Sequence, residues 1–395
     1  MKRLNIFLIA LLLLSIPATA QIVDTPKLKI RAQVAGIFQA LENDNNPHSL
    51  PKVPIGIQSA MGNLYFDANI VDGIDVNFEL YLSSRHHEGE VWAREGYIYL
   101  SHLPKESNFL GLNSVLKYVD IKAGHFEVDF GNWHLTRSDN GDVQRNPLVG
   151  NVIIDANTVE PGVELIGKHG FFNWVAGVST GTTTGDFKEG RGLAWHGKAG
   201  ISAKNAFNFA ASVYRVDHSA NPTGYPNNGS YSELFAGNRS GGRYAGVVGG
   251  GTEPEQIKAG KGQDVTAWQL DGYCNFGNKL HVAGFYGFTK DADINGSDPG
   301  KPVNEWIYGS AEAKFDLTSR LYAATRYNFA KANTLKSVAS DGKVDQIQIG
   351  LGYWIVNNML FKAEYTRWKC GDFTTPPFQD DPEFSGFVAE VSVAF

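Results

Sequence analysis

The 395-residue chain carries 35 basic against 41 acidic residues, a formal net charge of −6, so it lacks the basic face that a nucleic-acid partner needs. Two cysteines, Cys274 and Cys370, are too few for a disulfide framework. Forty-four glycines, many aromatics and modest hydrophobicity describe a sheet with one oily and one wet face rather than a bundle of apolar helices.

Met1–Ala20 reads as a leader peptide. Lys2 and Arg3 precede the apolar run Ile6–Ile16, and Ala18-Thr19-Ala20 is a small-residue cleavage site. The run falls short of the roughly 20 residues that cross a bilayer as a helix, and the rest of the chain holds no longer one. Removing the leader takes away two basic residues, so the mature charge is −6 − 2 = −8. Residues 21–395 are then one exported domain.

From Lys27 onward the period is two. In Ala60–Arg85, Ala60, Gly62, Leu64, Phe66, Ala68 and Ile70 share one parity, and Asp72-Gly73 is a tight hairpin turn. Ile74, Val76, Phe78, Leu80 and Leu82 then alternate with polar residues. Sixteen strands are predicted: 27–41, 54–71, 74–85, 90–103, 116–130, 159–169, 171–182, 191–204, 207–216, 264–276, 279–290, 304–316, 319–333, 344–355, 358–369 and 385–395. Their connections alternate between short turns and long Gly-, Asn- and Ser-rich loops. The last strand puts Phe387, Ala389, Val391, Val393 and Phe395 on one face and ends on an aromatic residue.

These features predict an all-β fold: a transmembrane antiparallel β-barrel of about 16 strands, with short periplasmic turns and long extracellular loops, multi-pass in a bacterial outer membrane. An even strand count lets the last strand pair with the first and leaves no open edge. Lipid-facing parity near strand ends holds Phe172, Trp195, Phe276, Phe315, Tyr353 and Phe361, as an interfacial aromatic girdle would. Cys274 also falls on the apolar parity; an inert thiol is the default, with a bond to Cys370 left open.

The polar parity lists the charges of the lumen. Lys29, Arg31, Lys198, Lys314, Arg320, Arg326 and Lys362 face Asp75, Glu79, Glu95, Glu127, Asp129, Glu164, Asp271, Glu312, Glu364 and Glu390. Seven against ten is nearly balanced, with His125 and His196 able to tip it at low pH.

Gly124-His125-Phe126-Glu127-Val128-Asp129-Phe130-Gly131 resembles the phosphate-selective porin O and P family, whose members carry a similar strand before a long loop. The likeness resumes at Gly162–Gly167 and Trp174–Gly181, and more faintly in Gly352-Tyr353, Asn357-Asn358 and Glu364-Tyr365. The resemblance implies a trimeric 16-stranded diffusion channel whose third long loop, 131–158, folds inward and sets the narrowest point. Its charges would be Arg137, Asp139, Asp142, Arg145 and Asp155, with His125, Glu127 and Asp129 on the adjoining strand. Phosphate selection calls for a dense track of Arg and Lys, and the wall list supplies none, so a weakly selective passive pore is expected. Its partners would be outer-membrane lipid or lipopolysaccharide, small hydrophilic solutes or ions, two further copies in a homotrimer, and the barrel-assembly machinery reading Phe395.

Other chemistry is weaker. Asp291, Asp293 and Asn295 with Gly296 match half of a calcium loop, but the twelfth position is Pro302 rather than Glu. His86-His87 with Glu88 and Glu90 could form a rim cluster, yet no triad spacing accompanies them. Gly249–Gly251 and Gly260-Lys261-Gly262 have no helix pattern after them to cradle a phosphate. No catalytic residue and no cofactor is expected. An adhesive barrel or a hydrolase is the alternative outside transport.

Overall fold

The structure, a computed structural model, describes residues 26–45, 55–57, 61–83, 91–108, 111–133, 137, 142–156, 158–182, 193–203, 206–217, 232–235, 244, 259, 261–262, 264–292, 302–335, 342–373 and 381–395. The predicted leader, the His86–Glu90 cluster and Gly249–Gly251 lie outside these.

Sixteen long strands form the wall. In chain order they are β1 (Lys27–Asn45), β2 (Met61–Val71), β3 (Ile74–Ser83), β4 (Trp92–Leu100), β5 (Val119–Glu127), β6 (Val159–His169), β7 (Phe172–Ser179) and β8 (Ala194–Ala203). They continue as β9 (Phe207–Val216), β10 (Asp264–Phe276), β11 (Leu280–Ala292), β12 (Pro302–Asp316), β13 (Leu321–Leu335), β14 (Lys343–Val356), β15 (Met359–Gly371) and β16 (Glu383–Ala394). Each pairs antiparallel with its chain neighbours. A two-residue segment, Gly56–Ile57, continues the β2 side along the upper part of β1.

Closure depends on the length of β1. Residues 27–35 pair with β2 and residues 33–45 pair with β16, so one strand bridges both sides of the seam. At its lower end the Ala32 and Phe395 backbones exchange hydrogen bonds of 2.7 and 2.9 Å. A sheet closed this way presents no unpaired edge to lipid, where an unmet backbone group costs several kcal/mol. Gly386 makes part of the seam possible. Its φ is +144°, and a Cβ there would come 2.3 Å from the Ala40 carbonyl oxygen.

The outer face is the apolar parity read from the sequence. Leu28, Ile30, Val34 and Phe38 on β1, Ile347, Ile349 and Leu351 on β14, and Phe387 and Val391 on β16 are all exposed. So are the six girdle aromatics from Phe172 to Phe361. Among the described residues no helix is long and apolar enough to cross a membrane. The turn ends are short except for 101–118, where Asn113 closes the connection by bonding both Leu103 backbone groups. Cys274 lies on the outer parity of β10 and Cys370 is buried inside β15; they are not bonded to each other.

Candidate functional site: the filled lumen

The alternation that exposes apolar residues on the outside turns charged ones inward, and two segments of chain enter the barrel to meet them. The first follows β5. The chain leaves the wall at Glu127, and Val128, Phe130, Trp133 and the run 146–156 are buried inside. This run holds no regular structure of its own, so its backbone polar groups need wall partners. Lys362 supplies three, its Nζ donating to the carbonyls of Val143 (3.0 Å), Asn146 (3.1 Å) and Leu148 (2.9 Å) while pairing with Glu390 at 2.6 Å. The Glu364 carboxylate accepts from the amides of Val149 (2.7 Å) and Gly150 (3.0 Å). Arg326 donates to the Gly150 carbonyl and the Asn146 side chain, at 2.8 and 2.7 Å, and its Nε donates to Glu312 at 2.8 Å.

On the opposite wall one cation holds three carboxylates. Register slips between β3 and β4, with Glu79 opposite Glu95 and Leu80 opposite Ala93, so Arg94 is the extra residue of a β-bulge. The bulge turns its guanidinium to Glu79 (3.0 Å), Glu95 (3.2 Å) and Glu127. Asn63 also donates to Glu79. Further round, Lys122 and His196 reach Glu164 at 3.2 and 2.9 Å, and Lys198 pairs with Asp129. Glu160, fully buried, accepts from Ser179 (2.6 Å), Tyr214 (2.9 Å) and the Gly181 amide (2.9 Å).

The second inward segment belongs to the connection between β9 and β10. Leu234, Phe235, Tyr244 and Ala259 are buried in the same apolar cluster as Phe130, Trp133 and Ile153. Phe235 meets Phe130 and Tyr308 edge-on, with centroids 6.0 and 5.3 Å away. The Tyr244 hydroxyl donates to Glu364 at 2.5 Å and accepts from Gln346 and Gln348. Burial, reinforced by that carboxylate, pushes the hydroxyl well above the usual phenol range and keeps it a neutral donor. Inward positions near the extracellular strand ends are correspondingly apolar: Leu41, Val216, Trp306, Trp368 and Phe384. The inner face is therefore not a uniformly wet wall, because two segments pack against its upper part.

Below this packing lies a cavity of about 730 Å³ between the inward run and the β9–β14 wall, reaching the turn 277–279. Arg145 projects into it, paired with Asp142 at 3.0 Å; Asp142 in turn accepts from Gln33 at 3.1 Å. Asp271 and Glu312 border it as well.

Most predicted site residues are thus on the inner face. Arg137 and Asp155 form a buried pair at 2.7 Å within the inward run. Arg31 holds Asp67 at 2.7 Å, and Lys29 sits beside it near the periplasmic rim. His125 and Arg320 depart from their expected places. His125 pairs with Gly96, which shares the outer face with Phe78, because Lys122, Gly124 and Phe126 carry the inward parity of β5. Arg320 precedes β13 and is exposed in the turn 317–320, since the strand begins at Leu321, two residues after the predicted start at 319. Asp139, Asp293 and Asn295 lie outside the described residues. Asp291 is a buried wall residue bonded by Asn304 at 2.8 Å. Arg94, Phe235 and Tyr244 were not legible from parity, whereas Glu160 shares the parity of Glu164 in the predicted strand 159–169 and could have been found from it. For Arg94 the available signal was Glu79 facing Glu95, a like-charged cross-strand pair that calls for a nearby cation.

No family model matches the sequence, and no curated protein matches it. The fold is nevertheless shared with solved outer-membrane proteins. The outer membrane channel DcaP of Acinetobacter baumannii aligns at 13% identity with a TM-score of 0.57, over 94% of this chain and 97% of that one. The Salmonella typhi OmpF complex with daunomycin aligns at 10% and 0.58, over 93% and 97%. An anion-selective porin from Comamonas acidovorans aligns at 11% and 0.53, over 94% and 100%. The architecture is thus a closed 16-stranded porin-type barrel. At these identities the likeness concerns fold, and it does not single out the phosphate-selective porin O and P family.

Proposed function

We propose that the protein is a passive, weakly selective diffusion channel for small hydrophilic solutes and ions, multi-pass in a bacterial outer membrane and without catalytic activity. The observation that carries this reading is the docked run 142–150, tied to the wall by Lys362, Glu364 and Arg326 beside an open cavity. A tethered inward loop narrows a barrel of this width without sealing it, so ions pass fixed charges and leave again.

Weak selectivity rather than a phosphate preference fits the charge pairing. Arg31, Arg94, Lys198, Arg326 and Lys362 each have a carboxylate partner, so they offer no continuous track of spare cations to an anion. The similar barrel from Comamonas acidovorans is an anion-selective porin, which is the reason to keep the opposite preference as the alternative. A homotrimer, contact with lipopolysaccharide and assembly through Phe395 belong to the same proposal. Planar-bilayer recording on the purified protein tests it: an ohmic conductance is expected, with a reversal potential near zero or shifted toward cations in a salt gradient. Absence of any conductance would remove the channel reading, and a strong anion shift would remove the weak selectivity.

A further inference from the structure

The cavity beneath the inward run differs chemically from the charged networks above it. Several of its fixed charges are held within the wall: Lys314 pairs with Asp316 at 2.8 Å, Glu312 with Arg326 at 2.5 Å, and Arg145 with Asp142 at 3.0 Å, while Lys279 stands exposed in the turn at its mouth. The Asp271 carboxylate accepts from Asn132 at 2.6 Å. The rest of the lining is aromatic surface and uncharged polar groups. Trp354, on the inward parity of β14, packs on one side against Leu148, Tyr322 and Leu360 and is only half-buried, so the rest of its ring borders the cavity. Across from it stand Tyr273, whose ring lies 5.2 Å from that of His281, and Asn275, which bonds His281 at 2.6 Å.

A small ion passing here meets cations that are mostly shared with carboxylates or screened by water, and it has no use for the ring faces. A neutral polyhydroxylated solute gains more. Its C–H faces stack on indole and phenol rings, while its hydroxyls exchange hydrogen bonds with amides and with the spare lone pairs of Asp271 and Glu312. The volume, about 730 Å³, sits within the roughly 300–1,000 Å³ typical of ligand pockets, larger than one sugar ring needs. We infer that this vestibule is a saccharide subsite, with Trp354 as the stacking platform and the carboxylates of Asp271 and Glu312 among the hydroxyl partners. The inference rests on the channel reading and names the solute class it would favour.

Bilayer conductance in the presence of maltotriose tests it, using the purified full-length protein and sorbitol as a control for viscosity and osmolarity. The expected result is a saturable fall in conductance with maltotriose and only a linear, viscosity-like fall with sorbitol. In Trp354→Ala the half-blocking concentration should rise by about five- to tenfold, while Trp354→Phe stays within about threefold of the parent. Tyr273→Ala serves as a second variant if Trp354→Ala does not give a heat-modifiable, folded band. A channel that conducts but shows no saturable block overturns the subsite and leaves the channel reading standing. A block that Trp354→Ala and Tyr273→Ala both leave unchanged places the sugar elsewhere and overturns it too, as does equal block by inorganic phosphate. A protein that never conducts refutes the channel reading first.

Discussion

Replacing Lys362 with Met keeps most of the side chain's length and removes its charge. The ammonium is 1% exposed, touches three carbonyls of the inward run and pairs with Glu390, itself fully covered. Without it, three carbonyl acceptors lose their donor and a buried carboxylate loses a neighbouring cation. Breaking one side of a buried ion pair costs about 3–5 kcal/mol, and water entering from the lumen recovers part of that, so the lower figure, about 3 kcal/mol, is the expectation. The loss falls on the docking of 142–150 rather than on the wall, whose β14–β15–β16 backbone ladder is untouched. Hydrogen exchange at the Val149 and Gly150 amides reads that docking directly, because both donate to Glu364. At 1.4 kcal/mol per decade, about 3 kcal/mol is roughly a hundredfold faster exchange, accompanied by larger and noisier conductance. Adding Glu390→Gln removes the stranded charge and should restore at least half of the protection. Unchanged exchange at both amides in Lys362→Met would refute the reasoning that this lysine holds the loop. An equal loss in the single and double variants would refute the part assigned to the stranded carboxylate.

Arg94→Gln leaves Glu79, Glu95 and Glu127 facing one another and should cost about 3–5 kcal/mol, seen as a lower temperature for loss of the compact band on unboiled gels; Arg94→Lys should recover part of it. Gly386→Ala forces a side chain into a left-handed backbone position against the Ala40 carbonyl at the seam, so a loss of at least about 2 kcal/mol and poor barrel closure are expected, measured as the folded fraction after refolding into detergent micelles. Arg145→Gln removes a cavity charge that is 62% exposed, and should move the reversal potential toward cations with an unchanged melting temperature; a large stability loss would show that its exposed pair with Asp142 matters structurally.

The outer half of this protein was legible from the residues alone. Period-two alternation in stretches such as Met61–Val71 and Phe387–Phe395 has one stable solution when one face must meet lipid and every backbone group must be bonded, and that is a closed sheet. The inner half was not. Parity says which side chains point inward, but not what they meet there, and a polar alternation reads the same whether it faces water or a docked loop. Thus Lys362 and Glu364 appear in the sequence as lumen charges, and only the fold shows them capping the backbone of residues 143–150. Arg94 sat on the wrong parity because a bulge shifts the count by one, and a bulge depends on the partner strand's register rather than on local composition. Trp306 and Trp368 share the lumen parity of Glu312 and Glu364, where an aromatic is out of place against water; the fold packs them in one buried cluster with Phe235 and Tyr244, from a connection distant in sequence. Strand periodicity follows from each residue and its near neighbours, whereas the filling of the lumen is a long-range event decided where segments far apart in the chain compete for the same enclosed space.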